Sequence, residues 1–187
     1  MNKGKLIVVS GPSGVGKDTI VNKYLEKHHE DELSISMTSR PIRDGETDGV
    51  NYYFKTKEEF EEAIKNDDLL EFTLYNGNYY GTPKSEVEKR IDKGINVILV
   101  IEVVGAMNIK NMMGDKCTLI FVLPPSMEEL KTRLINRGTD SKESIDNRLN
   151  IAKSELEVSN KYDYKIINDN LEKAVKYLEN IIKNNIN

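Results

Sequence analysis

The sequence predicts an α/β fold, with a mainly parallel sheet flanked by helices. Three observations carry this. The apolar runs at 97–101 (VILVI) and 118–123 (TLIFVL) have no polar face, as expected of strands covered on both sides. A shorter run at 5–10 (KLIVVS) ends at Gly11 and reads as a third buried strand. Stretches of helical period separate these runs, and parallel neighbours require such crossovers.

The elements follow in order. Residues 19–28 have helical spacing, with Ile20, Val21, Tyr24 and Leu25 on one side. Residues 33–38 alternate and read as a strand, 40–51 as a turn-rich loop, and 52–55 as a short strand. Thr56-x-x-Glu59 is a capping box that opens a helix to about Asn66. Residues 69–75 form a strand, closed by a turn at Asn76-Gly77-Asn78. Thr82 and Pro83 suit the N-cap and first position of a helix that ends at Gly94. A helix at 104–113 follows the VILVI strand. Pro124-Pro125 stops the TLIFVL strand, and Ser126-x-x-Glu129 opens a helix that ends near Gly138. A charged helix at 141–160, a strand at 164–168 and a helix at 170–184 complete the chain. Residues 33–82 break the strand–helix rhythm and read as an inserted subdomain.

The chain's 187 residues suit one domain with a small insertion. Its balance of 38% hydrophobic and 31% charged residues excludes a disordered chain. No apolar run approaches the roughly 20 residues of a membrane span, and the first residues are too short for a secretory leader. The single cysteine, Cys117, excludes an internal disulfide and a cysteine metal cluster, so a reduced cytoplasm is the expected location. A net charge of −4 argues against a general nucleic-acid binder. Only six of the 27 basic residues are arginine, a residue suited to sites that need a planar guanidinium fork.

Gly11-Pro12-Ser13-Gly14-Val15-Gly16-Lys17 fits G-x-x-x-x-G-K between a buried strand and a helix. Its glycines let backbone N–H groups converge on phosphate oxygens, and the following helix points its positive end at the same anion. Lys17 adds a mobile charge for the β- and γ-phosphates. The next residue is Asp18, where Ser or Thr is usual, and Thr19 comes one place later. Two roles stand open for Asp18: binding a metal through water, or favouring the helix end. Glu102 follows the VILVI strand and sits where a carboxylate can hold a metal-bound water near the phosphate loop. In the insert, Arg40-x-x-Arg43 with Tyr52 and Tyr80 would clamp a second, terminal phosphate without a metal.

Residues 10–19 (SGPSGVGKDT), 34–52 (SISMTSRPIRDGETDGVNY), 77–83 (GNYYGTP), 123–139 (LPPSMEELKTRLINRGT) and 168–170 (NDN) together resemble the guanylate kinase family almost end to end. The resemblance implies a P-loop nucleotide kinase core over about 1–32, 83–124 and 163–187. It also implies a mixed α+β GMP-binding insert over about 33–82 and a helical lid over about 125–162. The implied reaction moves the γ-phosphoryl group of ATP to GMP, and also to dGMP. Arg40, Arg43, Tyr52 and Tyr80 would hold the GMP phosphate. Ser36 and Glu71 would read guanine, with Thr82 close by and Glu102 assisting. Gly11 to Thr19 and Asn168 would bind ATP. Arg133 and Arg137 of the lid, Arg148 from the next helix, Arg43 and Lys17 would surround the transferring group. Mg²⁺ would be held through phosphates and water, with no dedicated protein ligand beyond Asp18 or Glu102. The expected assembly is a monomer or homodimer, with no nucleic-acid or membrane partner.

The guanine assignment also has a chemical basis. The adjacent N1–H and N2–H donors of guanine suit one carboxylate, and its O6 suits a serine hydroxyl. Adenine lacks the N1–H and would leave that carboxylate poorly paired. The chain departs from the family pattern at Val100, where an acid is usual, at Val104, where glutamine is usual, and at Met37. Two alternatives share the scaffold: a phosphotransferase with another phosphorylated acceptor, and a non-catalytic binding module. The intact Gly11, Gly16 and Lys17 argue against the module.

Overall fold

The structure, a computed structural model, describes residues 3–186 apart from 76, 137, 139 and 140. Five parallel strands form the main sheet: β1 (Leu6–Ser10), β2 (Asp31–Leu33), β7 (Asn96–Val100), β8 (Cys117–Leu123) and β9 (Tyr164–Ile167), in the order β2-β7-β1-β8-β9. Both faces are covered, which is why the three apolar runs lack a polar side. Ile7, Val9, Ile98, Ile120 and Val122 face one core, shared with α1 (Lys17–Leu25), α5 (Met127–Asn136), α6 (Lys142–Val158) and α7 (Leu171–Ile181). Leu6, Val8, Val97, Leu99, Leu119 and Phe121 face the other, under α3 (Lys84–Asp92) and α4 (Val103–Met113). Each such buried side chain contributes about 1.5–3 kcal/mol.

A second, mixed sheet has the order β4-β3-β6-β5. It comprises β3 (Met37–Thr38), β4 (Tyr53–Phe54), β5 (Leu69–Tyr75) and β6 (Asn78–Pro83). Helix α2 (Lys57–Lys65) begins at a capping box in which the Thr56 hydroxyl accepts from the Glu59 N–H and the Glu59 carboxylate accepts from the Thr56 N–H. This sheet has its own small core of Met37, Phe60 and Leu69, with Phe60 stacked on Tyr79 at 5.2 Å.

Three expectations are corrected. Residues 33–38 do not form one strand. The chain leaves the main sheet after Leu33 and enters the second at Met37. Residues 78–83, read as turn and helix start, are strand β6, paired antiparallel with β5 from Leu69↔Pro83 to Tyr75↔Asn78. Thr82 is therefore not an N-cap. The cap is Pro83, and the Thr82 hydroxyl instead donates to Glu71 Oε1 at 2.9 Å. The Asn76 position of the predicted turn lies outside the described residues.

Candidate functional site

The phosphate loop leaves the C-terminal end of β1, at the centre of the sheet, and enters α1. Gly16 has φ +94, and a Cβ there would lie 2.6 Å from Asn168 Nδ2, so only glycine fits. Asn168 directly follows β9 and donates from Nδ2 to the Val15 carbonyl at 2.8 Å. Arg133 of α5 donates to the Asn168 carbonyl at 2.9 Å, and through Nε to Glu129 at 3.1 Å. These contacts tie α5 and β9 to the outside of the loop. Lys17 Nζ donates to the Gly11 and Pro12 carbonyls at 2.7 and 3.1 Å, across the concavity where phosphate oxygens would sit. Arg148 of α6 reaches Ser13 Oγ at 3.1 Å. Arg137 lies outside the described residues. Asp18 and Thr19 are exposed in the first turn of α1.

A cavity of about 350 Å³ lies between the loop and the second sheet. Ser36, Glu71, Arg43, Tyr52, Tyr80, Glu102, Arg148 and Ser13 line it, bringing together eight residues expected from sequence. Val100 forms an apolar part of its wall. A second cavity, of about 390 Å³, shares Arg43, Tyr80 and Arg148 and adds Arg40. Thus Arg43 and Arg148, from different elements, converge on one space.

Two carboxylates in the cavity wall are perturbed. Glu71 is 7% exposed, and burial, with a smaller contribution from the charge of Glu102, pushes its carboxyl up to about 7. The Thr82 hydroxyl pulls the other way. Glu102 is the residue before α4; burial raises its pKa, and Lys17 opposes the rise. Sequence reasoning missed Glu155 of α6, whose pKa is raised by burial and, to a smaller extent, by the charge of Glu102, with Lys17 opposing the rise. Nothing in a helix so rich in charges marks it. Thr73 and Tyr75 were also missed; they follow Glu71 at two-residue spacing on β5 and line the same cavity.

Arg40 is 8% exposed. Its guanidinium donates through both terminal nitrogens to Glu46, at 2.9 and 2.7 Å, and lies 5.5 Å from the Tyr52 ring centre and 5.6 Å from that of Phe54. Glu46 also accepts from the Arg43 N–H at 2.8 Å, and the Arg40 hydrogen bond holds its carboxyl down at about 2. Glu46 therefore fixes the arginine that the sequence assigns to the acceptor phosphate. On the role the resemblance implies for Arg40, replacing Glu46 by glutamine should raise the KM for the acceptor nucleotide roughly tenfold, since one charge-assisted bond of the pair is lost. Steady-state kinetics checks this, and the KM for ATP should not move.

Among the described residues, no group of three or more His, Cys, Asp or Glu side chains is arranged to hold a metal ion. The structure is of the phosphate-loop kinase class: a parallel sheet with the loop at its centre, and a cavity that reaches from the loop to the second sheet. A shikimate kinase from Bacteroides thetaiotaomicron shares this fold, with a TM-score of 0.50 at 11% identity over 96% of this chain and 98% of that one.

A family model described as Guanylate kinase matches residues 3–185. A guanylate kinase of Clostridium perfringens (strain 13 / Type A) is 54% identical over 181 residues, covering 97% of this chain and 83% of that protein. The crystal structure of guanylate kinase from Anaplasma phagocytophilum superposes with a TM-score of 0.81 at 34% identity, over 99% of this chain and 87% of that one. The chain belongs to the guanylate kinase family.

Proposed function

We propose that the protein transfers the γ-phosphoryl group of ATP to GMP, giving ADP and GDP, and accepts dGMP as well. The observation that carries this reading is the single cavity joining Glu71 and Ser36, suited to a guanine edge, to Arg43, Tyr52 and Tyr80, suited to its phosphate, beside an intact phosphate loop. In this reading the second sheet is the GMP-binding part and α5 with α6 the lid.

The chain's residues divide the work. Backbone N–H groups of 13–19 hold the ATP phosphates, and Lys17 swings from the Gly11 and Pro12 carbonyls to the β- and γ-phosphates. Asn168 holds the loop in shape from behind and borders the adenine side, where Arg133 also docks. Arg40, Arg43, Tyr52 and Tyr80 point the GMP phosphate at the γ-phosphorus. Arg43 and Arg148, with Arg133 and Arg137 from the lid, neutralise charge as the group moves between oxygens. No covalent intermediate is needed, so placement in line and exclusion of water account for the catalysis.

Mg²⁺ would arrive with ATP, bound mainly by phosphates and water. Glu102 and Asp18 are the carboxylates that would orient its water. When bound, the ion would neutralise and align the β- and γ-phosphates.

The test is ADP formation with GMP, AMP, CMP and UMP as parallel acceptors. GMP should be turned over at least a hundredfold better than the others by kcat/KM. Equal or absent turnover with all four would contradict the reading.

A further inference from the structure

We infer that Gly105 determines guanine specificity: the absence of a side chain there makes the space in which the Glu71 carboxylate lies against α4. Gly105 is the third residue of α4, and glycine is a poor helix residue. It is not among the residues with positive φ, so no backbone conformation demands glycine. A Cβ at this position would stand 2.7 Å from Glu71 Oε2 and 3.2 Å from Glu71 Cδ. The next nearest atom, Ile101 Cδ1, is at 3.4 Å, an ordinary contact. The obstruction is therefore the carboxyl group rather than general packing of the helix.

The carboxylate has little freedom to give way. It is buried, and Oε1 is held by the Thr82 hydroxyl on β6. Added bulk at 105 would press on Oε2 and rotate or push the group toward the cavity. One carboxylate can accept from N1–H and N2–H together only if both oxygens lie along the base edge. A displaced carboxylate keeps one bond at best. The loss should fall on the distinction between guanine and hypoxanthine, which keeps the N1–H and O6 but lacks the N2 amino group.

This inference rests on the reading of Glu71 as the guanine acceptor, and the experiment separates the two. Gly105→Ala, Glu71→Asp, Glu71→Gln and the double variant Gly105→Ala/Glu71→Asp are assayed with GMP and IMP, with thermal midpoints recorded. Gly105→Ala should raise the KM for GMP roughly tenfold or more and lower the GMP:IMP preference, with kcat and the KM for ATP within about twofold. Aspartate is one methylene shorter and withdraws the carboxylate from position 105. Gly105→Ala should therefore have little further effect in the Glu71→Asp background, a comparison that holds even if the single variant fails to fold. An unchanged GMP KM in folded Gly105→Ala would overturn the inference. So would parallel losses for ATP and GMP, or the same penalty in the Glu71→Asp background. If Glu71→Gln keeps the wild-type KM and GMP:IMP preference, the reading of Glu71 fails, and the inference with it.

Discussion

Replacing Lys17 by methionine should lower kcat by about 10³ or more while the protein remains folded. Methionine keeps most of the length and apolar stem and removes only the ammonium. That ammonium now bonds to the Gly11 and Pro12 carbonyls, and both are backbone groups of a loop held independently by Asn168 and Arg133. The loop should therefore keep its shape, and the thermal midpoint should move by only a few degrees. The charge, by contrast, is worth most when negative charge shifts onto the bridging oxygen between the β- and γ-phosphates. Loss of a single preorganised donor at such a site costs about 10²–10³ in turnover, and a full charge costs more. Stopped-time ADP assays at saturating ATP and GMP check this. A KM effect alone, with kcat unchanged, would place Lys17 in ground-state binding rather than in transfer.

GMP binding should weaken as the pH falls below 7, because Glu71 must be ionised to accept two N–H donors. Burial raises its carboxyl from the usual 4.5 to about 7, with the charge of Glu102 adding to the rise and Thr82 opposing it. Arg43 and Arg148 line the same cavity. The direction for stability follows. A carboxyl raised on folding contributes stability that is fully present below 4.5 and is lost as the pH rises through 7. Bound guanine reverses this by hydrogen-bonding the ionised form, so it draws the pKa back down. GMP should therefore raise the thermal midpoint more at pH 8 than at pH 5, and its affinity should fall about tenfold per pH unit well below 7. The GMP phosphate also titrates in this range, so Glu71→Gln is the control. It should bind GMP about 100-fold more weakly at pH 8 and keep only the phosphate's share of the pH dependence.

The sequence was most legible where burial left a periodic mark. The β1, β7 and β8 runs, the Thr56 capping box and the glycines of the phosphate loop each follow from local chemistry, and the structure places them as expected. Strand β2 was not legible because Asp-Glu-Leu has no strand signature. It is fixed by distant partners, with Asp31 accepting from Tyr24 and from Asn96. Strand β6 looked like a turn because Asn, Gly, Thr and Pro are turn residues. Pairing with β5 overrides them, and a Cβ on Gly81 would lie 3.1 Å from the Phe60 ring. In the candidate site, the motif residues were legible as types at a spacing. The residues that hold them were not. Gly105 lies against Glu71, and Glu155 feels the charges of Lys17 and Glu102, across elements far apart in the chain; Glu46 sits only six residues from Arg40, but in a turn-rich loop whose charges carry no periodic mark.

The most direct test is a structure of the protein with GMP and a non-hydrolysable ATP analogue. The account predicts guanine N1 and N2 within hydrogen-bond distance of the Glu71 carboxylate, O6 near Ser36, and the GMP phosphate between Arg43 and Tyr80, facing the phosphate loop. Guanine bound away from Glu71, or a GMP phosphate held on the far side of Arg40 from the loop, would contradict it.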